Sequence, residues 1–162
     1  MSELIDLVNR DGEIVRRSVE RDDADDQAGL HMQIVIAVIH NSLGEILVHQ
    51  RAKTKSVNGG DIDHVCGGIL SGESPKDAAV REALEEVGIK PKNLELVRQG
   101  INPYGRYCFL MSGESDDLPS TELDPLEVDW AAYIPLDVLN AKKESGELTF
   151  VNGFFDDIEA AI

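Results

Sequence analysis

The chain alternates short apolar runs with polar, glycine-bearing breaks, and most runs are of strand length. Residues 3–8 and 13–19 flank Asn9-Arg10-Asp11-Gly12, a pattern that predicts an N-terminal β-hairpin. Residues 20–29, with Asp22, Asp23, Asp25 and Asp26, lack periodicity and read as an acidic loop. Residues 32–40 are almost continuously apolar and predict a strand buried on both faces. Asn41-Ser42-Leu43-Gly44 turns the chain into a second strand over 45–50, and 64–66 form a third, short one. Two further strands, 94–101 and 106–112, surround Asn102-Pro103-Tyr104-Gly105. Beyond an acidic loop at 113–126, residues 127–134 read as a strand with Trp130 in the core. A helix from Pro135 to about residue 144 and a short one within 148–162 complete the pattern. Strands on either side of a central helix indicate an α+β or mixed α/β domain.

The central helix has clear ends. Ser74 suits the N-cap, Pro75 the first helical position, and Gly88 a left-handed C-terminal residue. At 100° per residue, Val80, Ala83, Leu84 and Val87 share the side expected to pack on a core. Glu82, Glu85 and Glu86 fall together on the other side, in the last two turns. Like charges at this spacing repel by a few tenths of a kcal/mol per pair, and the helix dipole disfavours them there. A hard divalent cation offsets that repulsion, since Mg²⁺ and Mn²⁺ take carboxylate, carbonyl and water oxygens.

Charge and composition narrow the picture. With 31 acidic and 15 basic residues among 162, the net charge is −16. Such a surface repels nucleic-acid backbones and anionic membranes, though a bound metal can reverse the field locally for a small phosphorylated compound. The length fits one domain over 1–162. No apolar run approaches a membrane span, and two cysteines, Cys66 and Cys108, point to a reduced, cytoplasmic setting. Arg51, Lys53 and Lys55 form the densest basic patch. In so acidic a chain, Arg51 and Lys55 are candidates for substrate contact.

Residues 67–89 fill a longer pattern: Gly67, Glu73, Arg81, Glu82, Ala83, Glu85, Glu86, Gly88 and Ile89 stand at the spacing of the Nudix box. Every charged and glycine position matches, and Ala83 is smaller than the usual aliphatic residue. The chain therefore resembles the Nudix hydrolases. That resemblance implies an α+β Nudix fold, a mixed sheet sandwiched between helices. It also implies metal-dependent cleavage of a diphosphate link in a nucleoside diphosphate-type compound. Glu82, Glu85, Glu86 and the Gly67 carbonyl would hold Mg²⁺ or Mn²⁺, while Arg81 and Glu73 would form the orienting ion pair. The base would be Glu82 or a downstream carboxylate, with Glu122 and Glu127 as candidates.

Within the family, the segment around the box also looks like isopentenyl diphosphate isomerase. His31 opens the first core strand as a metal-binding histidine does there, and Cys66 stands where that enzyme has its catalytic cysteine. Gly68 replaces a metal-ligating histidine, however, and the strand after the helix lacks the closely spaced glutamates of the isomerase. A hydrolase of the isomerase-like branch is the reading, with an isomerase or a noncatalytic ligand sensor as alternatives. Specificity is expected from loops 51–63, 99–106 and 113–126. Tyr104, Tyr107 and Phe109 are candidates to stack a base or pack a core. The hairpin offers an edge for homodimer pairing.

Overall fold

The computed structural model describes residues 2–162, apart from the side chain of Asp26. Its axis is β3 (His31–His40). On one side β3 pairs in parallel with β8 (Tyr107–Glu114), from Gln33↔Tyr107 to His40↔Glu114. On the other it pairs antiparallel with β6 (Val65–Gly68), from Ile34↔Gly68 to Ala37↔Val65. β7 (Lys92–Ile101) extends the sheet beyond β8. The hairpin β1 (Leu4–Val8) and β2 (Ile14–Glu20) joins at Leu7↔Met32 and Val8↔His31. β4 (Ile46–Arg51) lies between β5 (Ile62–Asp63) and β9 (Val128–Ile134), and meets β3 at His40↔Ile46. Three helices cover the faces: α1 (Pro75–Val87), α2 (Leu136–Ser145) and α3 (Phe154–Ala161).

Alternation along β3 divides the core. Val35, Ala37 and Ile39 face α1 through Ala78, Ala79, Ala83 and Val87. Ile36 and Val38 face the opposite way, with Leu139 of α2 and Phe154 and Ile158 of α3. The expected mixed sheet between helices, with an N-terminal hairpin, is what forms.

Three chain reversals use one local device. In each, an asparagine Oδ1 accepts from the amides two and four residues on: Asn9 from Asp11 and Glu13, Asn41 from Leu43 and Glu45, Asn102 from Tyr104 and Arg106. The glycine at the fourth position takes φ of 81°, 77° and 75° respectively, where a side chain would be strained.

Some expectations shift. Arg21–Asp26 form a 3₁₀ turn within the expected loop. Leu84 is 49% exposed rather than core, because the buried stripe of α1 is rotated towards Glu82 and Glu86. The final helix starts only at Phe154. The residues before it run beside β5, with Ile62 bonded to Thr149 and Val151. Trp130 is partly buried against the α2–α3 core.

Where β5 meets β6, His64 is enclosed. Its ring stacks on Phe154 at 4.1 Å, and Nε2 donates to the Phe154 carbonyl at 3.0 Å. Among the described residues Nδ1 has no partner, so a second proton there would be buried and unpaired. Burial accordingly lowers the His64 pKa from 6.5 to about 4. The native state resists a proton that the unfolded chain accepts, so stability is lost as pH falls below about 6.5. Urea unfolding of His64→Gln should lose about 1.4 kcal/mol less per pH unit than the parent between pH 6 and 4. Equal slopes would contradict this burial.

Candidate active site

Helix α1 is set against β6 by its ends and its small residues. The Ser74 hydroxyl accepts from the Asp77 amide at 3.1 Å, and Gly88 closes the helix at φ 72°. Ala78, Ala79 and Ala83 are fully buried, so nothing bulky holds the helix off the sheet. Arg81 then links everything nearby. Its Nε donates to Glu73 Oε1 at 2.8 Å and its Nη2 to Glu73 Oε2 at 3.0 Å, a two-point fork. Nη2 also donates to the Gly68 carbonyl at 2.8 Å, while Nη1 reaches Glu82 at 2.8 Å and Glu85 at 3.3 Å. Glu73 itself accepts from the Leu70 amide, closing the loop onto the helix. Burial alone would raise the Glu73 pKa, but bonds from Arg81 and the Leu70 amide bring it below the usual range.

Glu82 lies against β6 only because Gly67 has no side chain. A methyl group there would come within 2.0 Å of the Glu82 carboxyl carbon. Glu86 accepts from the Cys66 amide at 3.2 Å, on the edge of β6 away from β3. Burial and the charge of Glu82 push the Glu86 carboxyl well above its ordinary pKa. Burial raises Glu82 too, against the pull of Arg81. Asp63 adds to the acidity: it is buried, bonded to the His64 amide, and raised by burial to about 6 despite Arg51.

The expected residues separate into two groups. Gly67, Glu73, Arg81, Glu82 and Glu86 come together at the junction of β6 and α1. Glu85 joins through Arg81 alone, with its side chain 59% exposed. Among the described residues, no three acidic, histidine or cysteine side chains converge on a single point. Arg51 is half-buried, paired with Asp63 at 3.4 Å and bonded to the Val57 carbonyl, yet its charge acts on Glu86. Lys55 pairs with Glu127. Glu122 is exposed. His31 Nδ1 bonds the Gly105 carbonyl at 2.8 Å. Tyr107 is buried and Phe109 packs on the α1 core, whereas Tyr104 is exposed beside a cleft.

That cleft, about 540 Å³, lies between the 98–104 segment and the start of α3. Ile36, Cys108, Tyr104 and Asn152 are among its lining residues, and the Arg98–Asp157 pair closes one side at 2.6 Å. Ile36 is the register partner of Cys66, so the cleft floor continues to the strand that carries Glu86's anchor. Sequence reasoning assigned no role to Asp63 or to Asp6. Asp6 accepts from Ser71 Oγ at 2.6 Å and from the Gly72 amide at 3.2 Å, tying the box loop to the hairpin. Neither carboxylate has a local pattern that would mark it.

The NUDIX domain model matches residues 30–152 of this chain. The chain belongs to the Nudix family. Relatives include the uncharacterized Nudix hydrolase YfcD of Salmonella typhi, 37% identical over 89 residues, which cover 54% of this chain and 47% of that protein. An uncharacterized Nudix hydrolase of Streptomyces coelicolor is 37% identical over 87 residues, 53% and 47% of the two chains. The chain thus spans about half the length of the curated relatives it matches. Among solved structures, DR0079 of Deinococcus radiodurans superposes with a TM-score of 0.73 at 21% identity, covering 99% of this chain and 100% of the other. The NUDIX domain of Shewanella oneidensis NrtR, complexed with ADP ribose, has a TM-score of 0.61 at 17% identity over 81% and 86%. Both likenesses establish the Nudix fold.

The donor set of this Nudix box fits a hard divalent cation. Glu82 and Glu86 are largely enclosed carboxylates with more negative than positive charge acting on them, one packed on Gly67 and the other bonded to the Cys66 amide. Gly67→Ala tests the arrangement, since its methyl would displace the Glu82 carboxylate. The variant should fold with about 1–3 kcal/mol less stability and bind Mn²⁺ at least about tenfold more weakly by calorimetry. Unchanged Mn²⁺ affinity would remove Glu82 from the site.

Proposed function

We propose that this Nudix protein is a divalent-metal-dependent hydrolase that cleaves the phosphoanhydride link of a nucleoside diphosphate-type compound by water attack. The observation that carries the reading is the under-neutralised pair Glu82 and Glu86 at β6, Glu86 held by the Cys66 amide and Glu82 by Arg81, which also forks on Glu73. Glu82, Glu85, Glu86 and the Gly67 carbonyl would hold the cation, Mg²⁺ or Mn²⁺. When bound, such an ion neutralises charge on phosphate oxygens and lowers the pKa of a coordinated water.

The chain's own groups do the rest. Arg81 keeps the loop and helix in register and restrains Glu82 through Nη1. Glu127 is taken up by Lys55, and Glu122 is exposed in its loop. Glu82, with its raised pKa and its place at β6, is the carboxylate better placed to accept a proton from the attacking water. Arg51, beside Glu86, adds positive charge where a phosphate would sit. The cleft beyond Ile36 would receive the organic part of the substrate, with exposed Tyr104 offering a face for stacking. A structural neighbour complexed with ADP ribose supports this class of compound.

The test is a phosphate-release screen in Mg²⁺ and Mn²⁺ across nucleotides, nucleotide sugars, dinucleotides and isopentenyl diphosphate. Turnover of at least one compound, abolished by EDTA, is expected. Silence across the panel would overturn the reading. Glu86→Gln should lower turnover by about 10²-fold or more while leaving stability equal or higher, because it removes a buried charge that native contacts do not fully compensate. Cys66→Ala should hydrolyse like the parent, since Glu86 uses the Cys66 amide and not its thiol. An isomerase would lose its activity.

A further inference from the structure

We propose that Arg21 contacts a phosphate of the substrate from outside the Nudix box, delivered there by the N-terminal hairpin. The inference rests on the hydrolase reading above. Successive residues of a strand face opposite ways, and the two glycines of β6 show what flanks it. A side chain on Gly67 would meet Glu82, whereas one on Gly68 would come within 3.7–3.9 Å of the Arg21 guanidinium. The strand thus carries carboxylate on its α1 face and guanidinium on the other. Gly68 shares that second face with Cys66, the register partner of Ile36 in the cleft floor.

The placement is fixed by hydrogen bonds rather than by chance folding of a loop. The Arg21 amide donates to the Glu3 carbonyl at 2.9 Å, and the Ser71 amide to the Leu4 carbonyl at 2.8 Å. Asp6, buried, receives Ser18's amide at 3.0 Å and Arg17 at 3.2 Å from β2, along with Ser71 and Gly72 from the box loop. Asp25, four residues beyond Arg21, pairs with Arg106 at 3.0 Å, next to the turn that presents Tyr104 to the cleft. Hairpin, box loop and cleft wall are therefore one connected frame.

Availability separates Arg21 from the other cations near the box. Arg81 is spread over Glu73, Glu82, Glu85 and the Gly68 carbonyl, Arg51 is held by Asp63 and Val57, and Lys55 by Glu127. Arg21 pairs with Glu3 at 2.8 Å, and both side chains are about half exposed, at 49% and 52%. A solvated pair of this kind is worth at most about 1 kcal/mol, whereas a guanidinium meets a phosphate through two parallel bonds. A diphosphate can therefore displace Glu3.

The experiment compares the parent with Arg21→Ala, Arg21→Lys and Glu3→Gln. Calorimetry with inorganic pyrophosphate and Mg²⁺ gives affinity, and steady-state kinetics on a compound from the screen gives KM and kcat. Arg21→Ala should weaken pyrophosphate binding and raise KM about tenfold, with kcat within about twofold of the parent. Arg21→Lys should recover part of the loss, and Glu3→Gln should tighten binding. Thermal midpoints should not move, as Arg21 is exposed. Parent-like affinity and KM in Arg21→Ala, alongside an active parent, would overturn the assignment and leave the hydrolase reading standing. A fall confined to kcat would overturn it too. A parent that neither binds pyrophosphate nor turns over any diphosphate would instead sink the hydrolase reading, and this inference with it.

Discussion

The site depends on one side chain being shared. Arg81 is the cation through which the box loop, the edge strand and the helix carry their charges at close range. Its fork on Glu73 sets the loop, its bond to the Gly68 carbonyl sets the strand, and its contact with Glu82 sets the helix. A lysine could satisfy one of these directions but not all three, because only the planar guanidinium presents fixed donors along several axes. The surplus of carboxylate that remains, on Glu82, Glu86 and Asp63, is the basis of the metal site proposed above.

Packing and chemistry meet on the same face of α1. Alanines at 78, 79 and 83 let the helix lie close to the sheet, and that closeness brings Glu82 and Glu86 within reach of β6. The absence of a side chain at Gly67 serves the same end from the strand. Larger residues at 78 and 79, both fully buried, would hold the helix off the sheet and its carboxylates away from the backbone they address.

Features written in neighbouring residues were legible in the sequence. The caps at Ser74 and Gly88, the three asparagine–glycine turns and the box spacing depend on contacts within a few residues, and all stand as read. The errors came from contacts between distant segments. Leu84 belongs to the apolar stripe by angle, but the helix turns its glutamates inwards to meet the Cys66 amide, and so turns Leu84 out. The stretch before Phe154 carries strand-favouring Thr149, Phe150 and Val151, and it lies along Ile62 because a sheet edge is available there. Arg51 and Lys55 read as candidates for substrate contact, and no sign in the sequence marks the acidic partners, Asp63 and Glu127, that the fold brings to them. Asp6 is a single acidic letter in an apolar strand, and its meaning arises only when residues 71 and 72 fold onto it.

The bond from the Cys66 amide to Glu86 has a consequence for how this site can change over generations. A main-chain donor is supplied by every residue except proline, so the anchor of Glu86 is indifferent to which side chain stands at position 66. That position lies on the face that leads into the cleft, and the restraint on the carboxylate passes beneath it. Drift at 66 can therefore alter the packing beside Ile36 of the cleft floor while Glu86 stays anchored. Side chain and main chain at this one position serve different neighbours, and so are free to evolve apart.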